Sequence, residues 1–154
     1  MWKAAGFEPN LQAVARILVL ACGCGIKRFC LAQKQTSIKE VCVDQPEILP
    51  LARNLAERMG INDQVTLVPG DLLSLVLGEG ICEACLAGQI THYLTEQQNH
   101  DLLRRVNRAL LDNGIFVIDV PMSGSELEET AAFFSLMLWA NSGGTAYSYE
   151  AYQD

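Results

Sequence analysis

The run Arg16-Ile17-Leu18-Val19-Leu20-Ala21-Cys22-Gly23-Cys24-Gly25 decides the fold. It is apolar without a break from Ile17 to Cys22, and then it meets two glycines. A half-exposed strand alternates polar and apolar residues. A continuous apolar run closed by glycine predicts a strand buried on both faces, as in a parallel sheet. Glycines at its end let the backbone approach a ligand, and the helix that follows opens with free N–H groups.

Outward from this run the pattern repeats. Upstream, residues 2–15 predict a short helical segment, interrupted near Gly6 and Pro9. Downstream, helices are predicted over 26–35, 46–59, 72–78, 95–111 and 125–139, with another starting at 148. Strands are predicted over 38–44, 64–68, 81–86 and 115–120. Ile48, Leu51, Leu55 and Met59 make the apolar stripe of the 46–59 helix, and Leu102, Leu103, Val106 and Leu110 that of the long one. Thr95 and Gln98 have capping-box spacing, Gly60 and Gly143-Gly144 read as helix stops, and Asp112-Asn113-Gly114 as a turn. Strands alternating with helices in one chain of 154 residues predict a single α/β domain with a parallel sheet and right-handed crossovers. Ligands of such sheets bind at the carboxyl ends of the strands.

Composition narrows the partners. Half the residues are hydrophobic, 19% are charged, and the net charge is -7. That is a globular chain with a field that repels phosphate backbones, so nucleic acid is not an expected partner. The apolar stretch 131–140 is too short to span a bilayer, and no secretory pattern follows Lys3. A cytoplasmic protein without a membrane partner is expected. The six cysteines lie mostly inside apolar runs. Cys82 and Cys85 have C-x-x-C spacing, but Cys22 and Cys24 do not, so buried reduced thiols are expected rather than a metal site.

The candidate site residues fall at predicted strand ends. Gly23, Cys24 and Gly25 form the first turn. Asp44, followed by Gln45, closes the second strand, about 20 residues on, where a carboxylate can hydrogen-bond a ribose hydroxyl. Asp71, followed by Leu72, comes after the third strand and would otherwise serve as a helix N-cap. Gly-x-Gly with Asp44 suits either a nicotinamide dinucleotide or S-adenosylmethionine. Arg28 stands where the dinucleotide pattern has its third glycine.

The later segments resemble one family. Val65-Thr66-Leu67-Val68-Pro69-Gly70-Asp71-Leu72, Ile90-Thr91-His92-Tyr93-Leu94-Thr95-Glu96, Leu110-Leu111-Asp112-Asn113-Gly114 and Met137-Leu138-Trp139-Ala140-Asn141-Ser142-Gly143-Gly144 are similar, in order and spacing, to segments of the S-adenosylmethionine-dependent small-molecule O-methyltransferases of plant and bacterial type. The resemblance implies a Rossmann-like class I methyltransferase domain with S-adenosylmethionine as cofactor and a small hydroxyl compound, aromatic ones included, as substrate. It implies that Gly23, Cys24, Gly25, Asp44, Gln45, Asp71 and Leu72 bind the cofactor, with Asp71 on the adenine. It implies that His92 is the general base, that Asp119 orients it, and that Met137 and Asn141 line the substrate pocket. Imidazole is largely free base at neutral pH and can accept a hydroxyl proton. No metal is required.

Several positions depart from the family pattern. Ala21 stands where an acid usually holds the methionyl amino group. Lys27 replaces a third glycine and either pairs with the ligand's carboxylate or crowds the turn. Gly88 replaces a residue that is basic in part of the family, and Tyr93 an acid. The family's N-terminal dimerisation region and its two final strands have no counterpart, so a truncated domain with an open sheet edge is expected, and a homodimer that covers it. Two alternatives therefore stand beside the O-methyltransferase: a non-catalytic remnant of one, and a nicotinamide-dependent oxidoreductase.

Overall fold

The computed structural model describes residues 14–123 and 128–152. The strands are β1 (Arg16–Leu20), β2 (Lys39–Asp44), β3 (Val65–Pro69), β4 (Cys82–Gly88) and β5 (Leu110–Asp119). They form one sheet in the order β3-β2-β1-β4-β5, with every pairing parallel. The helices are α1 (Phe29–Lys34), α2 (Leu49–Met59), α3 (Glu96–Ala109) and α4 (Glu128–Ser142). The chain steps outward from β1 to β3, then returns to lay β4 on the other side of β1. The switch point therefore lies between the carboxyl ends of β1 and β4.

The opening run explains this arrangement. In β1, Ile17 and Val19 point into one core layer with Phe29, Ala32, Ala52 and Ala56 of α1 and α2. Leu18 and Leu20 point into the other layer with Leu102, Val106 and Ala109 of α3. Both faces of the central strand are thus buried, as its unbroken apolar sequence requires. Each fully buried Leu or Phe contributes roughly 1.5–3 kcal/mol.

Several elements differ from the sequence reading. Residues 72–78 form no helix. Asp71 instead caps a turn, with its main-chain oxygen accepting from the N–H groups of Ser74 (3.1 Å) and Leu75 (2.8 Å). The buried face of α2 is Leu49, Ala52 and Ala56, while Leu51 is exposed, so the predicted stripe is rotated. Pro50 in the first turn and the left-handed Gly60 (φ 68°) bound this helix. On α3 the capping box forms in both directions, and Leu110 leaves the helix to open β5. Asp112-Asn113-Gly114 lies within strand β5, where the register jumps from Cys82↔Leu110 to Ala84↔Ile115 as at a bulge, and Asn113 takes φ 64°. The last segment is a 3-10 turn, Glu150–Tyr152. The helical segment predicted over 2–15 lies, up to residue 13, outside the described residues, as do residues 125–127 and 153–154. Among the described residues, no helix is long and apolar enough to cross a membrane.

Candidate active site

The two glycines of the first turn do different work. Gly23 has φ 57°, and a side chain built on it would meet nothing within 4 Å. Gly25 has φ 84°, and a Cβ there would lie 2.3 Å from the Phe29 ring. Gly25 thus seats the first buried residue of α1, while Gly23 presents bare backbone to open space. Cys24 between them is exposed. The Cys22 thiol faces Cys42 rather than Cys24, and the Cys42 thiol is pushed up by that contact and by burial. No group of ligating side chains suited to a metal ion occurs among the described residues.

Asp44 closes β2 next to this turn. One carboxylate oxygen accepts from Gly23 N–H (2.7 Å) and the other from Gln45 N–H (2.8 Å). The acid therefore holds the glycine turn in shape, and each oxygen keeps a lone pair for a ligand. Gln45 itself is exposed. At the β3 end, Asp71 accepts from Leu73 N–H (3.0 Å) and Ser74 O–H (3.1 Å). The Leu72 side chain is buried in the α3 core layer, so only its backbone is left to meet a ligand. Arg105 of α3 donates to the carbonyls of Leu72 and Leu75 and fixes this loop. A groove of about 240 Å³ lies between α2 and β3, lined by Pro46, Leu49, Pro50, Arg53, Leu67 and Pro69. It is one strand removed from the switch point.

His92 is only 1% exposed. It sits in a 3-10 turn, Thr91–Tyr93, between β4 and α3. Its ring packs against Tyr93 at 4.5 Å and edge-on to Phe134 at 6.3 Å. Nδ1 is buried without a hydrogen-bond partner. Burial lowers its pKa, which keeps the imidazole neutral. The segment after α4 covers this turn. A Cβ on Gly144 would come within 1.9 Å of the His92 carbonyl oxygen, the Tyr152 hydroxyl meets the Thr91 hydroxyl at 2.7 Å, and the Tyr147 hydroxyl donates to Leu94 O (2.8 Å).

The structure does not pair Asp119 with His92. The Asp119 carboxylate faces Lys27 Nζ (3.6 Å) and Arg28 Nη2 (4.0 Å), and its main-chain oxygen accepts from Gln89. The orienting role implied for Asp119 thus has no contact behind it, because the β5 end turns its acid toward the first turn of the fold. Met137 is half-buried on α4, and Asn141 is exposed, its amide donating to Met137 O (2.7 Å) on its own helix. Lys27, Arg28 and Asp119 thus form one charged cluster, which the sequence marks only piecemeal: Lys27, Arg28 and Gly88 as departures from a pattern, and Asp119 as a partner for His92.

A family model described as a methyltransferase domain matches residues 20–118, from the end of β1 to the end of β5. The chain belongs to the methyltransferase-domain family. This match removes the support for the nicotinamide reading. Among similar proteins, the L-tyrosine C(3)-methyltransferase of Streptomyces lavendulae is 27% identical over 149 residues, which is 94% of this chain and 40% of that protein. An O-methyltransferase family 2 protein from Planctomyces limnophilus, solved in complex with apigenin, superposes with a TM-score of 0.83 at 27% identity, covering 99% of this chain and 46% of that one. Human N-acetylserotonin methyltransferase, solved in complex with S-adenosylmethionine, shares the fold at a TM-score of 0.76 and 16% identity, over 94% of this chain and 41% of that one. The chain spans less than half the length of each of these proteins.

Proposed function

We propose that this chain is the cofactor-binding and catalytic part of an S-adenosylmethionine-dependent O-methyltransferase that acts on a hydroxyl of a small molecule, aromatic ones included. The observation that carries the reading is the row of strand ends. Open Gly23, Asp44 and Asp71 stand at the carboxyl ends of β1, β2 and β3 in a methyltransferase-family sheet. These donor types suit the parts of the cofactor. Bare backbone at Gly23 admits the chain near the sulfur, Asp44 accepts from ribose hydroxyls, and Asp71 accepts from the adenine amino group.

Bound there, S-adenosylmethionine supplies a methyl group already activated by its positive sulfonium. The chain's own residues do the rest. The neutral His92 imidazole takes the proton from the acceptor hydroxyl and holds it on a ring nitrogen. Alignment of that oxygen with the methyl carbon supplies much of the acceleration. Because His92 is buried, the 143–152 segment must shift for a hydroxyl to reach it, and the same cover excludes water.

The tyrosine C(3)-methyltransferase relative favours a second reading, in which the methyl goes to the ring carbon beside a phenol hydroxyl. Removing the phenol proton enriches that carbon as well as the oxygen, so the same base serves both outcomes.

Titration calorimetry with S-adenosylhomocysteine tests the cofactor claim. Saturable binding is expected, and none at millimolar ligand overturns it. Methyl transfer to a panel of phenols, with products mapped by NMR, separates oxygen from carbon. The His92→Ala rate should fall about 10²–10⁴-fold. An unchanged rate removes His92 as the base, and no transfer by the parent chain favours a non-catalytic remnant.

A further inference from the structure

The guanidinium of Arg28 occupies the space that a side chain at position 88 would need. A Cβ on Gly88 would lie 1.3 Å from Arg28 Nη2 and 2.6 Å from Cζ. Gly88 is the last residue of β4 and stands in register with Asp119 of β5. Arg28 follows the glycine turn of β1 and precedes α1. The cation therefore crosses the switch point, from the turn after β1 to the end of β4, with the open backbone of Gly23 at the start of that turn.

The Arg28 side chain is 14% exposed, whereas Lys27 is 66% exposed. Holding a guanidinium this deep has a desolvation cost that a close, bidentate acid would offset. Among the described residues Arg28 has none: it reaches Asp119 at 4.0 Å, the outer limit of an ion pair, and its charge is felt by buried Glu40 through space. No hydrogen bond from its five N–H donors to another described side chain occurs at the switch point. Asp119 is held by two cations, neither close. The pair is a loose plus-and-minus site, not a tight internal bridge.

We infer that Arg28 anchors the carboxylate of the cofactor's amino-acid arm, that Asp119 beside it takes the ammonium, and that Gly88 lacks a side chain so the guanidinium can lie there. The ligand class is an α-amino-acid zwitterion carried on an adenosyl thioether or sulfonium. The inference rests on the proposed function, since it assigns one end of that ligand. It also separates the two basic residues of the turn. Arg28 is the anchor, and Lys27 is a solvent-facing partner of Asp119.

The test compares two ligands by calorimetry. S-adenosylhomocysteine carries the amino-acid arm, and 5′-methylthioadenosine keeps the nucleoside and thioether without it. Arg28→Gln should weaken S-adenosylhomocysteine at least tenfold and leave 5′-methylthioadenosine within twofold. Gly88→Ala should do the same by displacing the guanidinium, and Arg28→Lys should recover part of the loss. Equal weakening of both ligands, or of neither, overturns the assignment. One measurement needs no variant: the unaltered chain should bind decarboxylated S-adenosylhomocysteine at least tenfold more weakly than the parent ligand, and equal affinity overturns the anchor. Failure of the unaltered chain to bind S-adenosylhomocysteine at all is a different result, and it overturns the cofactor reading itself.

Discussion

Glu40 is a carboxylic acid with almost no solvent, 1% exposed on β2. One carboxyl oxygen has no hydrogen-bond partner, and the other lies 4.0 Å from the Cys42 sulfur. Burial pushes its pKa up to about 7, against the backbone N–H of Ala32 and the charge of Arg28, which pull it down. Between the ordinary value of 4.5 and about 7, the folded chain keeps a proton that the unfolded chain has released. The stability this group contributes is complete below 4.5 and is lost as pH rises through 7. Glu40→Gln should therefore raise the unfolding free energy at pH 8, on the order of 3 kcal/mol, and change little at pH 4. Urea melts at the two pH values check this, and an equal effect at both would show that Glu40 is not protonated in the fold. His92 runs the other way. Its lowered pKa means that the unfolded chain binds the extra proton, so its contribution is complete above 6.5 and falls as pH drops below that. The sequence showed Asp44 and His92 because each stands at a recognisable position. It hid the burial of Glu40 and the contact between Arg28 and Gly88, because a polar residue beside Lys39 reads as an ordinary exposed strand position, and a void filled by a distant side chain shows in the sequence only as a glycine.

At the scale of elements, local chemistry was legible wherever a short stretch settles its own geometry. The Thr95–Gln98 box, the Gly60 stop and the glycine turn after β1 all involve neighbours in sequence. The 72–78 helix failed for the converse reason. Asp71 does cap a turn, but Arg105 from α3 takes the carbonyls of Leu72 and Leu75, which a helix would use itself. The rotated face of α2 likewise follows from where the sheet lies, not from the helix alone. The covering of His92 by residues 143–152 is also tertiary, and it makes a prediction. Tyr152→Phe removes one hydroxyl contact to Thr91 and should cost about 1 kcal/mol in chemical denaturation. Gly144→Ala forces a methyl against the His92 carbonyl and should cost more than twice that. A neutral Gly144→Ala would mean that the segment does not seat on the His92 turn.

For the molecule as a whole, the α/β class, the parallel sheet and the central strand follow from apolar runs that need no partner outside the domain, while the strand order β3-β2-β1-β4-β5 is seen only in the fold. The outer surface does not close in the same way. α4 buries Ala131 and Leu138 but leaves Phe133, Leu136 and Trp139 at 69%, 65% and 71% exposure. A helix apolar on all sides belongs in an interior. β5 is likewise an edge, with Phe116 and Val117 only half-buried. Trp139 turns that surface into an optical reporter. The chain's other tryptophan is Trp2, outside the described residues, so a Trp2→Phe variant leaves one indole to read. Its emission in dilute buffer should be that of an indole in water and should be quenched efficiently by iodide. A blue, iodide-resistant emission would show that α4 is already covered. Starting from the red signal, whatever comes to lie on α4, whether a second copy or a separately supplied segment, announces itself as a colour change without any added label.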